Sequence, residues 1–163
     1  MIIAIVGMPG SGKSTVASML AKELGAEIIR FGSLTEEVLR KRGLEVNEEN
    51  ERRVREELRA KYGMHAYALL NKEKIDRSLK ERGIAIVDGL YSWEEYKYLK
   101  QVYGNKLLLI HVFASPKTRY ERLSNRDVRP LKVEEAKRRD YAEIEKLNKG
   151  GPIAMADFVL INE

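Results

Sequence analysis

The chain of 163 residues contains no cysteine and only two histidines. Without thiols there is no disulfide framework, zinc cluster or thiol nucleophile, and nothing argues for an oxidising compartment. Neither His65 nor His111 has metal-ligand company, and His111 lies inside an apolar run and is expected in the core. Long hydrophobic runs are missing too. The apolar opening at 2–6 is too short for a membrane span or a signal core and leads straight into glycines, so cytoplasm is the expected compartment and no membrane partner is expected. No repeat, low-complexity tract or linker interrupts the sequence, whose length suits one domain over 1–163 with its own core.

Charge is abundant: Asp, Glu, Lys and Arg make up 34% of the residues, a composition resembling that of heat-adapted proteins. The net charge of +5 could point to nucleic acid, but its placement argues against that. Residues 115–139 hold nine Lys or Arg against four Asp or Glu, which equals the whole excess. Such local basicity suits a polyphosphate site, and no nucleic-acid partner is expected. A second charged stretch at 48–61 carries Glu48/Arg52, Glu49/Arg53, Glu51/Arg55 and Glu57/Lys61 at i,i+4 spacing, the pattern of a solvated helix face.

Continuously apolar runs at 2–6, 27–31, 84–87, 107–113 and 158–161 alternate with helical stretches. This rhythm predicts five parallel strands with helices on both faces. Helices are predicted at 14–24, 34–43, 48–60, 65–82, 93–103, 116–125 and 133–147. Capping boxes are expected at Ser33/Glu36 and Ser92/Glu95, and Ser115-Pro116 sets a cap before a first-turn proline.

Between the first strand and the first helix stands Gly7-Met-Pro9-Gly10-Ser11-Gly12-Lys13-Ser14, one match to G-x-x-x-x-G-K-[ST] in its proper context. Glycines let the backbone close on phosphates, and the helix N-terminus adds positive potential. Lys13 is expected to bridge the β- and γ-phosphates of ATP or another nucleoside triphosphate. Ser14 is expected to ligate Mg2+, and Thr15 to face the α-phosphate. A carboxylate near the metal is then required. Asp88, at the end of the third strand, is the candidate, through water; a plain Asp-Gly turn is the other reading. Downstream, Arg119, Arg122 and Arg126 are spaced i, i+3, i+7, so a helix would present three guanidinium groups on one face. They suit phosphoryl transfer, or a solvated face paired with Glu121 and Asp127.

These segments resemble nucleoside monophosphate kinases, especially the adenylate-kinase-related and dephospho-coenzyme A kinase-like proteins of archaea. The resemblance rests on 7–14, Phe31-Gly32, Asp88-Gly89, Ala114-Ser115-Pro116, Arg122-Leu123, Arg139-Asp140 and Ala156-Asp-Phe-Val-Leu-Ile-Asn162. It implies a three-layer P-loop α/β fold with an acceptor-binding insertion at 32–82 and a short lid at 124–137. It implies donor contacts from Arg122 and Arg126, a transfer role for Arg138 on the lid helix, and a donor base bordered by 150–153.

The chain departs from the family pattern on the acceptor side. Gly32-Ser33 and Glu36 stand where Gly-Asp and an arginine are usual, and Gly89-Leu-Tyr91 where another arginine follows. Arg30, Arg40 and Arg59 are the nearby substitutes. The leading expectation is phosphoryl transfer to a small nucleotide-like acceptor. Transfer to a hydroxyl, as in a dephospho-coenzyme A kinase-like reaction, is the second. Glu36 leans toward the hydroxyl, although an ion pair with Arg40 explains it equally. A nucleotide-dependent switch that hydrolyses ATP weakly is the third. Tyr91 and Trp93 could stack on a flat group or simply pack.

Overall fold

The computed structural model describes residues 1–127 and 129–163. Its sheet has the order β2-β3-β1-β4-β5, all parallel. The strands are β1 (Ile2–Val6), β2 (Glu27–Arg30), β3 (Ala85–Asp88), β4 (Leu107–Phe113) and β5 (Phe158–Ile161). Each of the five predicted runs forms a strand, with ends displaced by one residue at β2 and β3.

The helices are α1 (Lys13–Leu24), α2 (Ser33–Lys41), α3 (Glu48–Tyr62), α4 (Ala66–Leu70), α5 (Lys72–Arg82), α6 (Trp93–Tyr103), α7 (Pro116–Ser124), α8 (Val133–Leu147) and α9 (Gly150–Ala154). They build a core on each side of the sheet. Phe31, Leu39, Val54, Tyr67, Ile75 and Leu99 close one side, and Ala17 of α1 packs with Ile3, Ile5, Ile86 and Val112 on the other.

Several expectations need correction. The helix foreseen at 65–82 is two helices, broken at the fully buried Asn71. Its amide Nδ2 donates to the Tyr67 carbonyl at 2.9 Å, a side-chain bond that competes with continued helix. Ser33 does not form a capping box: it starts α2 while Gly32 takes the cap position, and its hydroxyl donates to the Arg30 carbonyl at 2.6 Å. The boxes at Ser92/Glu95 and the cap at Ser115 form as expected. Residues 150–153, expected to border the donor base, lie in the short helix α9. Of the predicted pairs on α3, Glu51–Arg55 meets at 4.0 Å, while Glu57 turns to Arg42 at 2.6 Å.

Helix cover on both faces fails at the edge. β5 pairs only with β4, and Phe158 and Ile161 are 59% and 73% exposed. His111 beside it is half-buried, not a core residue, because that corner of the sheet stays open. Burial and then the charge of Lys13 push its pKa down.

Among the described residues no helix is long and apolar enough to cross a membrane. Within the lid span expected at 124–137, Val128 lies outside the described residues.

Candidate functional site

Parallel strands all end on one side of the sheet, and the site is built from those ends. β1 runs into the glycine loop, which turns back to start α1 at Lys13. Gly10 has φ +81°, and a Cβ there would lie 2.7 Å from the Arg119 carbonyl, so only glycine lets the loop sit this tightly. Gly12 precedes the helix in the left-handed region, and no side chain caps α1. The first-turn amides are therefore left for a ligand, with the positive end of the helix dipole behind them. Ser11 Oγ is buried without a partner in the same loop.

Lys13 Nζ donates to the Met8 carbonyl at 2.9 Å. Desolvation, then repulsion from Lys149, lowers its pKa to about 7. The charge of a bound polyphosphate would oppose both effects and favour the protonated lysine.

Asp88 ends β3, one strand from the loop, and the parallel register sets it level with Ile5 of β1 and Arg30 of β2. It is 7% exposed, and its Oδ2 accepts a 2.9 Å bond from Ser14 Oγ. Arg30 Nε stands 3.7 Å away. Among the described residues no cluster of three His, Cys, Asp or Glu could hold a metal. A magnesium ion here would take Ser14 and Asp88 and complete its shell with water and phosphate oxygens, the usual habit of Mg2+. The donor set fits that ion.

The three arginines after β4 do not share one face. α7 ends at Ser124, so Arg126 lies beyond it. Arg119 is 4% exposed and grips Asp140 of α8 with both Nη atoms, at 2.9 and 2.6 Å. The same guanidinium donates to the carbonyls of Pro9 and Ala114. Arg119 thus fastens α8 to the phosphate loop. Arg122 donates to the Asn162 carbonyl at 2.8 Å, and Asn162 Nδ2 donates to the Ser11 carbonyl at 2.9 Å. Arg126 reaches the cavity.

That cavity, about 380 Å³, joins the phosphate loop to the expected acceptor side. Pro9, Gly10, Lys13 and Ser14 line one end; Arg30, Gly32, Ser33, Glu36 and Tyr91 line the other; Asp88 stands between. Leu123, Arg126, Arg139, Glu143 and Lys149 complete the wall. Among the described lining residues, Thr15, Arg40, Arg59, Gly89, Arg122 and Arg138 do not appear. Arg40 is exposed and ion-pairs with Glu36 at 3.3 Å. Arg59 lies over the Tyr67 ring at 5.4 Å. Gly89, with φ +96°, makes room for the Tyr91 hydroxyl.

On α8, the helix turn brings Arg139 to the cavity in place of Arg138. Sequence reading also missed Glu143 and Lys149. Glu143 is buried in a helix whose neighbours are charged, and Lys149 is buried in the turn between α8 and α9, so polarity alone marked both as surface. Trp93 stacks on Tyr96 at 5.1 Å and leans on Gly151, lining a separate, open concavity with Ile144 and Asn148.

From the segment linking α7 and α8, Arg129 reaches Glu51 of α3 at 3.1 Å, which joins the lid side to the acceptor side.

Residues 3–146 match the AAA domain family. The chain is 34% identical to a UPF0200 protein of Thermococcus onnurineus, covering 100% of this chain and 89% of the relative. Among solved structures, shikimate kinase from Acinetobacter baumannii in complex with shikimate aligns with a TM-score of 0.57 at 19% identity, over 99% of this chain and 83% of that one. A gluconokinase from Sinorhizobium meliloti aligns at 0.53 and 16% identity, over 95% and 93%. At these identities the likeness shows the fold alone, a parallel α/β sheet of the P-loop type.

Proposed function

Since the chain belongs to the AAA domain family, and within it matches the archaeal UPF0200 proteins over its full length, we propose that it is an ATP-dependent kinase acting on a hydroxyl group of a small polar acceptor. The observation that carries this is the single cavity in which Lys13 and Ser14 face Glu36 and Tyr91 across Asp88. Donor and acceptor ends share one space, as direct transfer requires.

The hydroxyl is favoured over a monophosphate by what lines the acceptor end. Of the three arginines that could clamp a phosphate dianion, Arg30 alone lines the cavity, and it leans on Asp88. The other charged group at that end is a carboxylate, Glu36. Carboxylates repel a phosphate but accept a hydroxyl proton, so Glu36 and Asp88 can orient an alcohol toward the terminal phosphorus. Magnesium supplies charge neutralisation across the donor phosphates. Lys13, the α1 amides and the cavity cations hold the phosphates, and Arg30 is left to meet an anionic substituent on the acceptor. Shikimate and gluconate, the hydroxylated carboxylates that the names of the structurally similar kinases point to, head the test panel.

The experiment is a coupled assay of ADP release from magnesium-ATP with hydroxy acids, sugars, dephospho-coenzyme A and nucleoside monophosphates. Stimulation by a hydroxyl acceptor with little from AMP is expected. Turnover of tens per second with micromolar AMP would show that the nucleotide-acceptor reading, similar to adenylate kinase, is the right one. ATP hydrolysis unaffected by every acceptor would favour the switch.

A further inference from the structure

Two lysines border the cavity, and only Lys13 belongs to the phosphate-loop motif. Lys149 follows α8 and precedes α9, with 1% of its side chain exposed. Its Nζ donates to Glu143 Oε2, and its ammonium lies 5.1 Å from the Tyr91 ring centroid. Glu143 is shared: Arg139 Nε donates to its other oxygen at 3.1 Å. Two cations on one carboxylate leave the trio with an uncompensated positive charge inside a buried wall. In all, five cationic and three anionic side chains line the cavity.

We propose that Lys149 is a second phosphate-binding lysine, tethered by Glu143 and Arg139 at the cavity wall so that its ammonium meets the terminal phosphoryl group of the bound triphosphate. The assignment rests on the kinase reading above and gives it a residue outside the loop motif.

Charge and geometry support it together. A buried lysine tied one-to-one to a glutamate would be neutral as a pair, and its neighbours would not register it. Here Arg139 shares the Glu143 carboxylate, so the group keeps a positive charge, and Lys149 and Lys13 line the same cavity. The two ammonium groups therefore occupy one electrostatic neighbourhood and repel each other. An anion between them removes that repulsion. Burial opposes ionisation of Glu143, yet Lys149 and Arg139 override it and hold the carboxyl below its usual range. Glu143 thus stays ionised and holds the Lys149 side chain in place. Tyr91, on the acceptor side, lies under the same ammonium, which sets Lys149 where donor and acceptor meet. The γ-phosphoryl group is the anion at that meeting point, and ADP lacks it.

The test is calorimetry with a non-hydrolysable ATP analogue and with ADP, each with magnesium, on wild type, Lys149→Met and Lys149→Arg. In Lys149→Met, Arg139 still pairs Glu143, so no bare buried carboxylate is created. A charge-assisted contact of about 1.5–3 kcal/mol corresponds to a loss of roughly 10- to 150-fold for the triphosphate analogue. ADP affinity should change less than about threefold, and Lys149→Arg should restore most of the difference. If Lys149→Met fails to fold, Lys149→Gln, which can still hydrogen-bond Glu143, carries the same expectation. Equal losses for both nucleotides, or unchanged affinity for the triphosphate analogue in a folded variant, would overturn the proposal. Intact preference for the triphosphate without transfer to any acceptor would instead sink the kinase reading and leave Lys149 as assigned.

Discussion

Replacing Asp140 by asparagine should be among the most damaging isosteric changes in this protein. Asp140 is 4% exposed and takes both Nη atoms of Arg119, at 2.9 and 2.6 Å, along with the Tyr120 hydroxyl at 3.0 Å. Arg119 is equally buried, so the amide would leave a guanidinium without its counter-ion. Breaking one side of such a pair costs about 3–5 kcal/mol. For a chain of this length each kcal/mol lowers Tm by roughly 2–4 °C, so a drop of about 6–20 °C is expected. The loss is a sizeable part of a typical total of about 5–15 kcal/mol. Because Arg119 Nη1 also holds the Pro9 carbonyl at 3.0 Å, the phosphate loop should loosen and ATP affinity fall with stability. Urea denaturation followed by circular dichroism, with calorimetric ATP titration, reads both. The double variant Arg119→Met/Asp140→Leu should recover most of the stability, since apolar replacement of a buried pair is often neutral or better. A loss under about 1 kcal/mol in Asp140→Asn, or a double variant no more stable than the single, would refute the reasoning.

Lys13→Ala should abolish nucleotide-dependent activity while the fold survives, and wild-type affinity for magnesium-ATP by calorimetry would refute the phosphate-loop assignment. Asp88→Asn should weaken magnesium-dependent activity far more than metal-free nucleotide binding; equal losses would reduce Asp88 to a turn residue. Arg139→Ala should lower kcat about tenfold or more while Arg138→Ala has little effect, and the reverse ranking would restore Arg138. The ligand-free protein should pass through a stability minimum near pH 7. Burial, against hydrogen bonds from the Tyr91 and Ser92 amides, raises the Glu95 pKa from 4.5 to about 7, so the stability from that group is present below the unfolded value and lost as pH rises through about 7. Lys13, lowered from 10.5 to about 7, binds fewer protons folded than unfolded between those values, so stability then climbs with pH. Urea titrations at pH 5, 7 and 9 test this, with Glu95→Gln expected to flatten the acid limb and Lys13→Met the alkaline one.

The strands and the donor loop were legible because each is written locally: an unbroken apolar run, a glycine motif, a capping serine. Asp88 was legible because a buried strand fixes where its last residue points. The acceptor end was less so. Arg30, Arg40 and Arg59 look alike in sequence, and only the packing of α2, α3 and α4 decides that Arg30 lines the cavity while Arg59 lies over Tyr67. The arginine spacing after β4 misled because it assumed a helix reaching Arg126, whereas α7 stops at Ser124 and Arg119 turns inward to a partner 21 residues away. Glu143 and Lys149 were hidden for the same reason: burial of a charge is a tertiary fact, and nothing in a highly charged helix or in the turn after it marks which member is buried.

Asn162 closes the phosphate loop from a strand 151 positions downstream, donating to the Ser11 carbonyl while its own carbonyl takes Arg122. During synthesis the nucleotide loop is therefore made well before the residue that closes it. A nascent chain can align β1, β3 and β4 early, but the loop has its full set of anchors only after residue 162 has emerged and β5 has docked against β4, a contact of high sequence separation. A ribosome-bound or truncated chain ending short of Asn162 can thus have most of its secondary structure and still lack a closed nucleotide loop. Nucleotide capture becomes a report that β5 has docked.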